Sequence, residues 1–521
     1  MGEGVKAYRI VLIAFLIALE YPARADDLSA AATAGEVAHL QKMQQLFPQA
    51  PAAPQTPPSQ LPQYQSTSDE EGSIGTYQPN GATVIPSTAF FQNLGTNGRT
   101  CFTCHQPQDG WGLSSASAQQ RFAPGQIDQA DPLFRLIDGA TCPSDDVSTT
   151  PAAVQQAYSL LLSKGLIRIG LPMPPSPNFQ VTVAQDSYGD CNAKPPQPGF
   201  LSFYRRLLPS TNLNFLSAIM WDGREPDLFH QSVDATLGHA EASSAPTARQ
   251  QQDIVAFEGC TTALTLVPCA SIATGEGLVT AQVYDNNAGD LTANPATGGP
   301  VTLAQQIGGF NLCMNDPFGS VDGCNNQNFN PVIFTTYNAW ANLIGNDPQT
   351  QARLAIARGQ QVFNSKQLNI TDVGGINDVQ GKNKVIGTCG TCHNTPNAGN
   401  RSAIKNAPLN ISVTDAKNGT PAQKNLSVDG LPVFNVQCTN GPLKGQKFQV
   451  TDLGVAMITN ECEDIGKTKV PVLRGLAGRS PYFHNGSALE IENLINFYDQ
   501  RFNIGFTDQE KSDLAAFLET L

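Results

Sequence analysis

Two five-residue segments share the pattern C-x-x-C-H, at positions 101–105 (CFTCH) and 389–393 (CGTCH). This is the attachment pattern of c-type haem, in which two thiols bond to the haem vinyl groups and the adjacent His ligates the iron. A zinc site or a thioredoxin-like dithiol also uses C-x-x-C, but neither needs the fifth-position His. The chain has only twelve Cys and six His, so two chance matches are not expected. The sequence therefore predicts two covalent haems, with attachment and ligand residues Cys101, Cys104, His105, Cys389, Cys392 and His393.

The bulk composition is that of a folded, acidic chain. It has 521 residues, 40% of them hydrophobic, and a formal net charge of -13. The length predicts several domains. The acidity argues against nucleic acid and leaves room for a basic protein partner such as a small cytochrome c, although it would equally serve solubility alone.

The N-terminus has the form of an export signal. Lys6 and Arg9 precede the apolar run 10–19, and an A-x-A cleavage pattern follows at 23–25. We therefore expect a signal peptide over 1–25 and a periplasmic mature chain beginning at Asp26. The apolar run is too short to span a bilayer, so no stable membrane span is expected, with an uncleaved anchor as the alternative.

The eight remaining cysteines are expected to form disulfides in an oxidising compartment. Nearest-neighbour pairing is the simplest of the 105 connectivities that eight cysteines allow. It predicts the bridges Cys142–Cys191, Cys260–Cys269, Cys313–Cys324 and Cys438–Cys462.

The chain divides into an arm and two haem regions. The arm covers 26–75 and contains a Pro/Gln-rich linker at 44–65. The haem regions are predicted at 76–345 and 346–521. Helical patterns occur at 354–363 and in two C-terminal segments introduced by capping-box patterns at 487–490 and 507–510, and Gly359 would allow a close helix crossing.

The predicted fold class is mainly α. No strong alternation of period two is evident in the sequence. The stretches 138–200 and 240–330 are rich in Pro, Gly, Asn and Cys, which indicates long loops stapled by disulfides. We therefore expect two cytochrome c-like haem domains joined by such loops.

Several segments around the motifs resemble the bacterial di-haem cytochrome c peroxidase and MauG superfamily. They are NLGTNG at 93–98, WDGR at 221–224 followed by Gln231 and Glu241, VPVLR at 470–474 and PYFHNG at 481–486. The resemblance covers roughly 80–137, 200–245 and 346–521. It implies a peroxide site at the N-terminal haem, with Gln231 and Glu241 on the open side of the iron and Trp221 between the haems. A carboxylate in a mostly dry pocket can move the protons that O–O cleavage requires. Taken alone, Glu241 would be an ordinary solvated carboxylate and Trp221 an ordinary buried aromatic.

The resemblance also singles out Tyr498. Classical members place a Met at this position as the sixth ligand of the C-terminal haem, whereas this chain has Tyr, as MauG does. A phenolate oxygen favours oxidised iron, whereas a thioether favours reduced iron. The alternative is that Tyr498 belongs to the core and that Met457 or nothing binds the iron.

The other histidines are not expected to be ligands. His39 is predicted to be solvated, His230 to point away from the site, His239 to be either distal or structural, and His484 to be structural or inter-haem. No His lies between His105 and Trp221, so the first haem is expected to be open without reductive activation. One calcium ion, with Asn212 as a candidate ligand, is implied by the resemblance alone.

Three functions follow as hypotheses. The first is a periplasmic di-haem oxidoreductase that activates hydrogen peroxide with electrons from a small cytochrome c or a cupredoxin. The second is MauG-like oxidation of a protein or other organic substrate, with a rubber-oxygenase-like dioxygen chemistry as a weaker variant. The third is a pure electron-transfer cytochrome with two six-coordinate haems.

Overall fold

A computed structural model describes residues 59–216, 219–259, 277–293, 296–307, 315–318, 329–401, 408–416 and 420–521. The predicted signal peptide, most of the N-terminal arm, His39 and four cysteines lie outside the described residues. These cysteines are Cys260, Cys269, Cys313 and Cys324.

Short strands are present throughout the described chain, so the expected mainly α fold is wrong and the class is mixed α and β. Thirteen strands form five antiparallel sheets within the described residues. In chain order they are β1 Gln60–Leu61, β2 Tyr64–Ser68, β3 Gly72–Tyr77, β4 Thr83–Val84, β5 Leu166–Pro172, β6 Phe179–Gln185, β7 Phe200–Arg206, β8 Val279–Asp285, β9 Gly289–Asp290, β10 Leu368–Ile370, β11 Val385–Gly387, β12 Val433–Cys438 and β13 Lys447–Val450.

The helices pack between and around these sheets. They are Ser115–Arg121, Pro151–Ala157, Ser159–Lys164, Leu228–Gly238, Ala248–Glu258, Pro300–Ile307, Pro348–Ser365, Asn377–Gln380, Ala456–Thr459, Ile491–Arg501 and Asp508–Leu518. The stretch expected to be a loop at 138–200 therefore holds two helices and two strands, because its polar residues lie on the exposed faces of short elements.

One sheet contacts the segment that follows the first haem motif, and another pairs strands from the two predicted haem regions. The sheet in the order β2-β3-β8-β9 supports the first motif, because Thr76 of β3 accepts a 2.9 Å hydrogen bond from the indole of the buried Trp111. The sheet in the order β13-β12-β6 pairs Phe179–Gln185 with Val433–Cys438. β6 belongs to the first predicted haem region (76–345) and β12 to the second (346–521), so this sheet contains strands of both regions.

The C-terminal helices are the best predicted elements. Pro348–Ser365 covers the helical pattern seen in the sequence, and Thr507 and Glu510 form the expected capping box of Asp508–Leu518. A Cβ atom on Gly359 would lie 1.9 Å from the carbonyl oxygen of Asp513, so these two helices cross too closely for any larger residue. The expected close crossing at Gly359 is confirmed.

Two of the four expected disulfides lie within the described residues. Cys142 is bonded to Cys191, and Cys438 to Cys462. Both pairings are confirmed. Among the described helices, none combines the length and the apolar character needed to cross a membrane.

Candidate functional site

The two C-x-x-C-H motifs have the same local structure. Each begins as a single turn of 3₁₀ helix, Cys101–Thr103 in one case and Cys389–Thr391 in the other. Each turn is preceded by a Thr, and the Thr three residues later closes a capping box with it. All four cysteines are free, and burial raises the pKa of each thiol. The thiols are therefore neutral and available for covalent attachment.

The motif histidines each leave one ring nitrogen free to ligate iron. His105 Nδ1 lies 2.8 Å from the carbonyl oxygen of Trp111, and His393 Nδ1 lies 2.7 Å from that of Gly399. A carbonyl only accepts, so Nδ1 carries the proton and donates it. Burial lowers the pKa of both imidazoles to about 4, which keeps the rings neutral. A neutral ring with Nδ1–H fixed in this way presents the Nε2 lone pair to a metal.

A cavity of about 190 Å³ adjoins the second motif. It is mostly apolar, and Cys389, Cys392 and His393 contribute to its wall. Three basic side chains also line it: Arg206, Lys469 and Arg479.

These three cations suit a dianionic cofactor. Burial lowers the pKa of Lys469 to about 7 and that of Arg206 to about 10. None of the three forms an ion pair with a carboxylate in the part of the chain that the structure describes. Arg206 and Arg479 donate hydrogen bonds to backbone carbonyl oxygens, which leaves their charges without a counter-ion in the described chain. The two propionates of a haem would supply that counter-charge. The residues present therefore fit a covalently attached haem c.

Tyr498 lies in the same cavity as His393. Its ring stacks on Phe502 at 5.8 Å and lies 6.0 Å from Phe483. Burial, with a smaller contribution from the two nearby thiols, raises its pKa. The alternative residue, Met457, is packed in the core beside Cys462 and is not part of the cavity wall.

Trp221 and His484 meet at the edge of this cavity. Their ring centroids are 6.0 Å apart, and the Trp221 indole donates a 2.7 Å hydrogen bond to the Arg206 carbonyl oxygen. The Lys469 ammonium lies 5.8 Å from the centroid of the Trp221 ring. His484 is buried with Nε2 3.7 Å from an Asp452 carboxylate oxygen, and burial lowers its pKa to about 4.

The segment 239–241 is held against the loop that precedes the first motif. The amide of Asn97 donates to the Glu241 carboxylate at 3.0 Å and to the His239 carbonyl at 2.9 Å. The Thr96 hydroxyl donates to the Glu241 carbonyl at 2.9 Å. Glu241 has a positive φ of 52° and is exposed. The structure thus brings Glu241 beside the loop leading into Cys101.

His239 is tied to a buried ion pair rather than left free. Its Nδ1 lies 2.5 Å from the Asp138 carboxylate, which also binds Arg99. Gln231 lies two turns earlier on the helix Leu228–Gly238 and is half-buried. His230 is largely exposed and binds Asp227 at 2.8 Å.

The comparisons with known proteins agree with the motifs. A cytochrome c peroxidase of Denitromonas iodatirespirans (IdrP2) is 30% identical over 146 residues, which cover 26% of this chain and 36% of the relative. A cytochrome c peroxidase of Pseudomonas sp. strain SCT (IdrP1) is 33% identical over 146 residues, 18% of this chain and 38% of the relative. The cytochrome c551 peroxidase of Nitrosomonas europaea is 34% identical over 99 residues, 16% of this chain and 30% of the relative. The chain is similar to bacterial cytochrome c peroxidases. The family resemblance drawn from the sequence is thus confirmed.

The similarity is partial. The matched part spans about a third of the length of these cytochrome c peroxidases. No family model matches the chain. A solved structure of a MauG-like protein associated with microbial copper homeostasis is 13% identical and covers 83% of this chain and 87% of its own, but its TM-score of 0.34 is too low to support an argument.

Two polar residues of this peroxidase-like chain were not predicted from the sequence. Ser210 and Glu258 lie behind His105, and both are buried. No pattern in the sequence signals them, because Ser210 sits in an irregular segment and Glu258 ends a helix with a polar face. Asp222 and Arg224 form an ion pair at 3.0 Å.

The side chain of Asn212, the candidate calcium ligand, is hydrogen-bonded to the backbone of Thr280. Its amide nitrogen donates to the Thr280 carbonyl oxygen at 3.0 Å, and its amide oxygen accepts from the Thr280 backbone at 3.2 Å. Among the described residues, no cluster of three or more His, Cys, Asp or Glu could hold a metal ion.

Proposed function

We propose that this chain is a periplasmic di-haem c-type oxidoreductase that activates hydrogen peroxide at the first motif and exchanges electrons through the second. One observation carries the proposal. The two motifs share one local structure, but their surroundings differ. The Glu241 carboxylate lies beside the loop that precedes the first motif, whereas an apolar cavity with basic residues adjoins the second. Two equal electron carriers would not need such unequal surroundings.

Each motif holds its haem through its own residues. Cys101 and Cys104 would attach the first haem, and His105 would ligate it through Nε2. Cys389, Cys392 and His393 would do the same for the second. When bound, a haem c supplies an iron that can bind peroxide and accept or release electrons.

Glu241 and Gln231 are proposed as the residues that handle peroxide. The Glu241 carboxylate would take a proton from one peroxide oxygen and return it to the other. Its hydrogen bond from Asn97 orients the carboxylate while leaving one oxygen for the substrate. The Gln231 amide would hold the peroxide oxygens through hydrogen bonds. The absence of His between His105 and Trp221 supports a first site that is open without prior reduction.

Trp221 is proposed as the coupling residue between the two haems. It lines the cavity of the second motif, and its indole is fixed by the 2.7 Å hydrogen bond to Arg206. A small cytochrome c or a cupredoxin would supply the electrons from outside. The acidic chain would favour a donor with a basic surface.

A second candidate function is supported by Tyr498. Its presence in the His393 cavity favours a second haem that stores an oxidising equivalent rather than a ready electron. The chain would then oxidise a protein or another organic substrate, as MauG does.

The test adds stoichiometric peroxide to the diferric holoprotein and follows the optical and EPR spectra. Rapid change at the first haem supports peroxide activation, whereas an unchanged Soret band favours the electron-transfer cytochrome. A reaction that occurs only after one haem is reduced indicates a classical peroxidase, and loss of both ferric signals for minutes favours the second candidate. Glu241→Gln should slow the reaction about 100-fold or more. Glu492→Gln, an exposed carboxylate on a C-terminal helix, is the matched control and should react normally.

A further inference from the structure

His105 has a second hydrogen-bond partner besides the Trp111 carbonyl. Its Nδ1 lies 3.0 Å from the Ser210 hydroxyl oxygen. That hydroxyl in turn lies 2.7 Å from Glu258 Oε1. Ser210 and Glu258 are 3% and 5% exposed, so bulk water does not compete for these bonds.

The direction of these bonds follows from the donor inventory. An ionised carboxylate only accepts, so the Ser210 hydroxyl donates to Glu258. The Ser210 oxygen then accepts from His105 Nδ1–H, which it shares with the carbonyl oxygen of Trp111. The result is a chain of hydrogen bonds running from the imidazole through a hydroxyl to a carboxylate.

Glu258 is an unusual residue to find in this position. Within the described residues it has no cationic partner, and its Oε2 atom has no hydrogen bond. An isolated buried carboxyl costs several kcal/mol unless something compensates for it. The preceding residue, Phe257, packs against Phe90 in an apolar core cluster.

The second motif lacks this arrangement. His393 Nδ1 bonds to the Gly399 carbonyl oxygen at 2.7 Å, and no side chain of the described residues joins it there. The carbonyl bond is therefore common to both motifs, while the hydroxyl and carboxylate belong to the first alone.

We propose that Ser210 and Glu258 are positioning residues that act through His105 and make the iron it ligates more electron-rich. This inference rests on the part of the proposed function that makes His105 an iron ligand. A stronger hydrogen bond from His105 Nδ1–H increases the basicity of Nε2. A more basic Nε2 stabilises the more oxidised iron. The Fe(III)/Fe(II) midpoint potential of the His105 haem would then be lower than without this pair, which suits a site that must reach high oxidation states.

The test is a redox titration of the holoprotein at pH 8, above the pKa of about 7 that burial gives Glu258. Ser210→Ala removes the link to the carboxylate. We expect it to favour the reduced His105 iron by a factor of ten, which equals about 59 mV for one electron. Glu258→Gln keeps an acceptor for Ser210 but removes the charge, so it should shift the potential in the same direction by less. Ser210→Thr retains the hydroxyl and should restore the original potential.

The His393 haem serves as the reference inside each variant, because its potential should not change. The iron–imidazole stretching frequency of the ferrous His105 haem should fall in Ser210→Ala, as a less basic ring bonds iron more weakly. Should Ser210→Ala fail to fold, the nearly isosteric Glu258→Gln still decides the question.

The outcomes separate this inference from the proposed function. An unchanged His105 potential in both variants overturns the inference, and a loss of stability alone would assign the pair a structural role. If the variants shift the His105 midpoint potential but the parent protein does not react with peroxide, the inference is supported and the proposed function is contradicted. Neither measurement needs peroxide, so peroxide reactivity is scored independently.

Discussion

The guanidinium of Arg205 binds the carboxylate of Asp452 through two hydrogen bonds of 2.7 and 2.9 Å, although 247 residues separate them. The same guanidinium binds Asp222 at 2.6 Å, and all three side chains are almost fully buried. Asp222 follows Trp221 directly, and Asp452 lies 3.7 Å from His484. One cation therefore holds together the two segments that position Trp221 and His484.

Replacing this cation should be strongly destabilising. Arg205→Met would leave two buried carboxylates, Asp222 and Asp452, without their main partner. We expect the free energy of unfolding to fall by about 3 to 5 kcal/mol. Denaturant unfolding of the holoprotein measures the change. Lys366→Met is the control, because its pair with Glu510 is partly exposed and should cost about 1 kcal/mol or less. Equal losses in the two variants would contradict the structural role of Arg205.

Asp69 should make stability depend on pH. It lies in the turn between β2 and β3, where burial raises its pKa to about 6 even though Gln282 donates to it at 2.9 Å. A carboxyl whose folded pKa exceeds its unfolded value binds protons more readily when folded. Its contribution is present below about pH 4 and is lost as the pH rises through about 6. Asp69→Asn should therefore be more stable than the parent by about 2 kcal/mol at pH 7 and show no gain at pH 4. Thermal unfolding at both pH values tests this, and an equal effect at both would refute it.

Local patterns explain which parts of the fold were predictable. The helix Asp508–Leu518 has its capping box and its apolar spacing within one segment, so the sequence indicates both. The first expected capping box, at 487–490, was wrong because Glu490 itself caps Ile491–Arg501 together with Asn493. The strands were missed because each is at most seven residues long, and partners such as β6 and β12 lie some 250 residues apart.

The candidate site likewise contains residues that the sequence predicts and residues that it does not. The two motifs carry their chemistry in five adjacent residues, so the haem attachment residues were evident. Ser210 contacts Glu258 where the start of β8 bonds to the chain beside each of them, through Thr280 to Asn212 and through Leu278 to Phe257. A contact between residues so far apart in the chain cannot be predicted from the local sequence around either one.

Gly95 should be essential to the placement of Glu241. A Cβ atom there would lie 1.8 Å from the Ala240 carbonyl oxygen, which also accepts a 3.0 Å hydrogen bond from the Thr96 backbone. Gly95→Ala must push the segment containing Glu241 away from its loop. We expect a loss of peroxide reactivity of about 100-fold, measured by stopped-flow. Gly238→Ala, where a Cβ meets nothing within 4 Å, should react like the parent. Normal reactivity in Gly95→Ala would mean that this loop does not position Glu241.

Tyr498 should govern the spectrum of the His393 haem alone. If its phenol oxygen ligates that iron, Tyr498→Phe removes the ligand and changes the ferric EPR signal of this haem, while the His105 signal stays as it was. The midpoint potential of the His393 haem should rise, because a hard oxygen donor that favours the ferric state has been lost. Tyr482→Phe is the matched control, since Tyr482 lines the same cavity and its substitution makes the same loss of a phenol hydroxyl. Its spectrum should match that of the parent. Identical spectra for the parent and Tyr498→Phe would assign Tyr498 to the core, where its stacking on Phe502 already places one face of the ring.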